Sequence, residues 1–232
     1  MSASESSSPV NYRGRRVSRS SSENRRKAIL EAAMRLIVRD GVRAVRHRAV
    51  AKEAGVPLSA TTYYFADISE LIADTFTLFA EQNMGQIVEP LTRKLFEFFA
   101  SFPGDTLTAA ENRSKVIDGV IEILIELIHV ELTEKRESIV AERVFLAEAI
   151  RDVKLGALAL AYQEELLRGI QFICHSFGVE EVETTAHLIL YTILSLEYEA
   201  LLVPPENYDY DRARAILRRQ LTVLIGSPKS SV

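Results

Sequence analysis

The chain has 232 residues, 47% of them hydrophobic, and a formal net charge of −4. That length holds one large domain or two modest ones with a proper core, and no apolar run approaches the roughly 18–20 residues that a membrane span requires. The arginines near the N-terminus precede no apolar stretch, so no secretory signal is expected. The single cysteine, Cys174, excludes an intramolecular disulfide and fits a reducing cytoplasm.

Residues 1–22 are Ser-rich, carry Arg13, Arg15, Arg16 and Arg19, and hold almost no large apolar residues. Such a segment buries too little surface to offset chain entropy, so a disordered tail is expected, whose arginines can still touch phosphates. Charge extends the asymmetry. Residues 1–60 carry 13 Lys/Arg and 5 Asp/Glu, about +8, which leaves 15 of the 28 basic and 27 of the 32 acidic residues to the rest, about −12. One end meeting a polyanion has this pattern, although a solvated basic tail accounts for part of it.

From residue 23 the pattern is helical. Ala28, Ile29, Ala32, Ala33, Leu36 and Ile37 recur at helical spacing and predict a first helix ended by Gly41. Short helices over 47–53 and 58–64 follow, separated by Gly55. Asp67 and Glu70 have capping-box spacing for a helix to about Asn83. Further helices are expected near 86–101, 110–133, 136–152, 155–177, 180–202 and 209–225, with breaks at Pro103-Gly104, around Lys135, at Asp152, at Gly178 and at Pro204-Pro205. No alternation or hairpin signal predicts a strand. The expectation is an all-α protein of roughly ten helices.

The segment 47–64 meets the demands of a helix-turn-helix. Ala51 is small where a second helix must cross, Gly55 four positions later suits the turn, and Val50, Ala54 and Val56 have the spacing to fill the wedge. Pro57 suits the start of the second helix, where a missing N–H costs nothing. A-x-x-x-G between apolar residues also occurs in ordinary helical hairpins. The preceding amphipathic helix, the basic bias and the aromatic run Tyr63-Tyr64-Phe65 favour a helix that enters the major groove.

Residues 25–72 resemble the N-terminal domain of the tetracycline-repressor (TetR) family. The resemblance rests on I-L-x-A-A-x-x-L-I at 29–37, Asp40-Gly41, the run Ala51-Lys52-Glu53-Ala54-Gly55-Val56, Tyr64-Phe65 and Leu71. It covers about a fifth of the chain; elsewhere only length and helix number agree. The sequence departs from the family pattern where Val45 and Arg46 replace a capping Ser or Thr, where Thr61 and Thr62 replace an apolar residue and a tyrosine, and where Ile68 replaces a lysine.

The expected domains are the tail at 1–22, a helix-turn-helix domain at 23–68 and a helical regulatory and dimerisation domain at 69–226. Leu58, Ser59, Thr61, Thr62 and Tyr63 are expected on or near the exposed side of the recognition helix, where Thr methyls meet thymine methyls and hydroxyls meet base edges or phosphate. The resemblance assigns a DNA-backbone contact to Tyr64 and core packing to Phe65. Arg46, His47 and Arg48 stand where they meet phosphates, although a solvated cationic face accounts for them nearly as well.

For the rest of the chain the resemblance implies a helical domain that binds a small effector and pairs two copies through two late helices. Leu155, Leu158, Ala159, Tyr162, Leu166 and Ile170 share one face, as do Val182, Ala186, Ile189, Ile193 and Ala200; intramolecular packing fits that periodicity equally. Phe76, Phe79, Phe96, Phe99 and Phe145 are candidates to line an apolar ligand cavity, with Asn83, His129, Glu142 or Arg143 as polar anchors, though each reads more readily as core or surface. Enzyme motifs are missing. Glu183 and His187, four apart, make a weak metal pair, and Cys174 reads as a buried apolar thiol. The expected function is a cytoplasmic, non-enzymatic, homodimeric repressor that needs no cofactor, binds a palindromic duplex and is released by an apolar ligand. The alternative is a helical ligand-binding or protein-interaction module that reads no DNA sequence.

Overall fold

A computed structural model describes residues 20–103, 109, 111–179 and 181–225; the expected tail falls outside these apart from Ser20–Ser22. Its elements are α1 (Ser20–Asp40), a 3-10 turn (Val42–Ala44), α2 (His47–Ala54), α3 (Leu58–Tyr64) and α4 (Ile68–Asn83), then a π-helical turn (Met84–Val88) into α5 (Glu89–Ala100). They continue with α6 (Arg113–Glu134), α7 (Arg136–Ala149), α8 (Val153–Ser176), α9 (Val182–Leu201), a second 3-10 turn (Pro205–Asn207) and α10 (Tyr210–Ile225). The described residues contain no strand, so the all-α expectation holds. Two boundaries differ from expectation. Helix α1 begins at Ser20, inside the segment read as tail. The helices expected at 67–83 and 86–101 are joined by the π turn, whose flanking residues Asn83 and Val88 both keep helical backbone angles.

The chain forms two compact units. One comprises the residues up to Gln82 with Ala141–Leu160, the other Asn83–Val140 with the residues from Ala161 onward. Most of α4 and the segment 141–160 thus belong with the first unit.

In the first unit α1 presents Ile29, Leu30, Ala32, Ala33, Leu36 and Ile37, all buried at the spacing that predicted the helix. Around them lie Val45, Val50, Phe65, Leu71 and Phe76, also buried. Among these apolar groups sits a carboxylate, Asp74, whose side chain is 2% exposed and paired with Arg26. The Arg26 guanidinium also lies 5.2 Å from the centre of the Phe65 ring. The pair therefore joins α1 to α4, and the cation adds an attraction to the aromatic face.

Helix ends follow local chemistry. Asp67 accepts a hydrogen bond from the Glu70 amide at 2.8 Å, as the spacing predicted, but the Glu70 carboxylate reaches the Ala66 amide, one residue before the usual capping-box partner. Asp152 caps α8 through the Lys154 and Leu155 amides, and Asp209 caps α10 through the Arg212 amide.

In the second unit α6 is the central element. Val116, Ile117, Ile121, Leu124 and Ile128 pack with Ile189, Ile193 and Leu196 of α9 and with Leu217 and Leu221 of α10. Helix α5 approaches α6 closely: the Phe98 ring lies where a Cβ on Gly119 would stand, so any larger residue there would have to displace that ring. Exposed ion pairs of Arg214 with Glu122 and Arg218 with Asp118 edge the α6–α10 contact and contribute little.

Removing one partner of a buried ion pair leaves the other charge without compensation. Asp74→Ala is therefore expected to destabilise the protein by about 3–5 kcal/mol in a denaturant titration. The double change Arg26→Met with Asp74→Leu should recover more than half of that loss. Equal losses in the single and double variants would refute the pairing as the cause.

Candidate nucleic-acid interface

The site is built on the turn between α2 and α3. Gly55 has φ +65°, a left-handed conformation that side-chain-bearing residues adopt at a cost. Its N–H donates to the Lys52 carbonyl, and the Val56 N–H donates to the Ala51 carbonyl at 3.0 Å. This is the Schellman arrangement, which closes α2 and turns the chain sharply. Ala51 and Val50 are buried beneath the turn. Pro57 serves as the residue that caps α3 rather than as its first helical residue, and its carbonyl accepts from the Ala60 amide at 2.9 Å.

Burial then fixes the rotation of α3. Thr61 and Tyr64, three apart, face inward at 0% and 5% exposure. Leu58, Ser59, Thr62 and Tyr63 face outward, with Leu58 44% and Tyr63 53% exposed. Two expectations need correcting. Thr61, expected on or near the exposed side, is itself fully buried and donates its hydroxyl to the Leu58 carbonyl at 2.8 Å, so it has no open face. Tyr64, expected at the DNA backbone, is buried, and its hydroxyl bonds the Ser22 hydroxyl at 2.6 Å. The aromatic on the open face is Tyr63, which meets the Tyr64 ring edge-on at a centroid distance of 5.1 Å.

Helix α2 carries the cations. Its N-cap, Arg46, has extended backbone and makes no side-chain cap hydrogen bond, as the absence of Ser or Thr predicted. The missing cap costs about 1 kcal/mol. Arg46, Arg48 and Lys52 are exposed, and among the described residues they form no ion pair. Arg48 and Lys52 are four apart on one helical face, where like charges repel. By contrast Arg35 and Arg39 of α1 are both spent on Glu53. The Arg35 hydrogen bond at 3.0 Å holds the Glu53 carboxyl below its ordinary pKa. The Arg39 guanidinium is raised above its ordinary value, chiefly by its hydrogen bond to Asp40. His47 is half-buried and its Nδ1 has no hydrogen-bond partner.

The residues expected to form a ligand cavity divide between the two units. Phe76, Phe79 and Phe145 stack on one another in the first unit at centroid distances of 4.9–6.0 Å and are at most 3% exposed, so they fill core. Glu142 is buried one turn before Phe145, beside Arg143. In the second unit Asn83 donates to the Tyr162 hydroxyl at 2.7 Å. Phe99 packs on Phe98 and Phe177. Phe96 is exposed beside Phe172. His129 is exposed and bonds the Tyr210 hydroxyl. A pocket of about 210 Å³ lies in that unit beside Leu196, Tyr208 and Arg212, none of them an expected ligand contact.

The remaining polar candidates have local partners. His187 Nδ1 bonds the Glu183 backbone carbonyl, not its carboxylate. Burial pushes the Cys174 thiol up to about 11, which makes it a poor nucleophile near neutral pH. Sequence reasoning missed the Ser22–Tyr64 and Arg26–Asp74 contacts. A signal existed for the second: Asp74 is the only charged residue between Ile72 and Ala80, in the middle of an apolar helix.

Comparison with known proteins places this geometry. Residues 29–75 match the family model for bacterial regulatory proteins of the tetR family. The HTH-type transcriptional regulator AcrR of Shigella flexneri is 30% identical over 130 residues, 56% of this chain and 52% of that protein, so the chain spans about half the length of this curated relative. A member of the TetR family from Streptomyces coelicolor A3 has a solved structure with 25% identity and a TM-score of 0.57, covering 84% of this chain and 97% of that one. The multidrug binding protein EbrR, crystallised with ethidium, is 26% identical with a TM-score of 0.54, covering 84% of this chain and 98% of that one.

Proposed function

We propose that this chain, which carries a helix-turn-helix domain of the tetR family at residues 29–75, is a sequence-specific DNA-binding transcriptional regulator. The carrying observation is the open face of α3, where Leu58, Ser59, Thr62 and Tyr63 project from a helix whose inner face is closed by Thr61 and Tyr64. Thr62 and Ser59 offer hydroxyls and a methyl to base edges, and Leu58 and Tyr63 offer apolar contact. Arg46, His47 and Arg48 take phosphates, so α2 sets the position and α3 reads the sequence. The chain acts in the cytoplasm without catalysing a reaction.

The active species is a homodimer. The apolar face named from periodicity on α9 is mostly core, because Ala186, Ile189, Ile193 and Ala200 are buried. A second stripe, Leu188, Tyr191 and Tyr198 on the same helix with Leu202 at its C-cap, is 44–66% exposed. Large apolar groups in a row on an open face suit a partner surface, and a second copy supplies one. Two recognition helices then stand about 34–36 Å apart and read an inverted repeat. Regulation is repression relieved by a small, largely apolar effector, which favours a spacing that does not fit DNA. The ethidium complex of EbrR supports that ligand class.

Selection of random duplex DNA on the purified protein tests this reading. An inverted repeat that keeps its affinity at higher salt is expected. Ser59→Ala with Thr62→Ala and Tyr63→Ala should weaken binding to it at least a hundredfold with unchanged thermal stability. Enrichment of no repeat, with binding that vanishes in moderate salt, would instead support a helical module that reads no sequence. For the dimer, Tyr191→Glu with Tyr198→Glu should give a folded monomer by sedimentation; an unchanged dimer would place the interface elsewhere.

A further inference from the structure

We infer that the pocket where α9 ends and α10 begins is a binding site for a small organic cation, a ligand with an apolar body and an alkylated positive charge. This ligand class is independent of whatever α3 reads. Size, a fixed aromatic wall and the charges at the rim each point to it.

The base of the pocket is apolar. Leu196 of α9 and Ala213 of α10 line it and are 3% and 1% exposed, and Val203 lies beside them. The volume is about 210 Å³. That exceeds the roughly 150 Å³ that holds benzene in an engineered cavity and falls short of the roughly 300 Å³ at which drug-sized sites begin. A single ring, or a trialkylammonium group with a short arm, has the size to fill it.

Tyr208 forms a wall and is held at both ends. It is half-buried, and its hydroxyl donates to the Leu196 carbonyl at 3.2 Å. The Tyr210 ring meets it edge-on at a centroid distance of 4.9 Å, and the Tyr210 hydroxyl is itself bonded to His129 Nδ1 at 2.9 Å. The 3-10 turn that delivers Tyr208 begins at Pro204-Pro205, whose locked φ angles restrict it. A ring placed in advance spares a ligand the cost of ordering it. Aromatic rings attract alkylated ammonium groups, which shed water more easily than a bare ammonium.

Charge at the rim selects the sign. Among the lining residues Glu199 and Asp209 oppose Arg212 alone, which leaves one negative charge. The segment 197–211 adds to that field, with five acidic residues and neither Lys nor Arg. The Tyr208 hydroxyl is pushed up to about 12, by burial first and then by the Glu199 carboxylate, which outweighs the opposing Arg212. An anion would find the nearest donors taken. The Arg212 guanidinium is on Glu199 at 2.8 Å, and its backbone N–H is given to Asp209 at 2.9 Å.

Two probes of the same shape test the site: choline, and 3,3-dimethylbutan-1-ol, in which carbon replaces the charged nitrogen. Each is titrated into the full chain at low ionic strength while the methyl resonances of Leu196, Val203 and Ala213 are followed by NMR. Choline should saturate with a Kd on the order of 1 mM and shift those methyls. The neutral alcohol should bind about tenfold more weakly. Glu199→Gln with Asp209→Asn turns the lining charge from one negative to one positive, while asparagine still caps α10. That variant should melt within a few degrees of the natural chain and bind choline at least about tenfold more weakly. Absence of saturation, shifts confined to other methyls, equal affinity for the alcohol, or unchanged affinity in the variant would each overturn the inference. The comparison of the two probes on the natural chain decides the matter even if the variant does not fold.

Discussion

The buried pair of Arg26 and Asp74 is the constraint on which the first unit turns. A carboxylate with 2% of its side chain exposed is costly unless a cation meets it, so α1 and α4 are held in one register by electrostatics that apolar contacts alone do not impose. Apolar side chains slide past one another at little cost, whereas a buried charge tolerates little separation from its partner. Phe65 lies beside the same guanidinium. It is also the C-cap of α3, with its N–H bonded to the Thr61 carbonyl. The register of α1 against α4 is thereby passed to the end of α3, and the rotation that turns Thr62 and Tyr63 outward follows from it.

Much of the first unit was legible in the sequence because its signals are local. Gly55, Ala51 and the spacing of apolar residues in α1 each have a single physical reading, and the structure bears them out. The rotation of α3 was not legible. Its seven residues, Leu-Ser-Ala-Thr-Thr-Tyr-Tyr, pair like with like at adjacent positions. Nothing in composition says which threonine or which tyrosine faces inward. Only the tertiary partners decide, Ser22 for Tyr64 among them, and these lie about forty residues away.

The second unit shows the same limit in another form. Helix α9 carries large apolar residues on more than one face, so periodicity finds a stripe without saying whether it faces the core or a partner. The buried stripe packs on α6 and α10, while the exposed one carries two tyrosines, Tyr191 and Tyr198, whose amphipathic rings tolerate water before a partner arrives. The phenylalanines named as ligand candidates show the same ambiguity between core and site. Phe76, Phe79 and Phe145 satisfy one another edge and face. Rings at that spacing pack as core, which is the reading their periodicity most readily carried.

Helix α2 breaks two local rules at once: it starts without a side-chain cap and sets Arg48 and Lys52 on one face. Each departure costs of the order of 1 kcal/mol or less, and neither is offset by a neighbouring carboxylate, although Glu53 on the same helix is available in sequence. Glu53 is instead turned to Arg35 and Arg39 on α1. The fold thus uses its nearest acid to fasten α2 to α1 and, among the described residues, leaves the cations at the start of α2 without an ion-pair partner. Local inconsistency of this kind concentrates where a ligand completes the structure. A phosphate at the start of α2 would meet uncapped backbone N–H groups together with Arg46 and Arg48, supplying the acceptor that the sequence withholds. In the proposed function the operator relieves that deficit, so part of the affinity for DNA is stored as instability of the free domain.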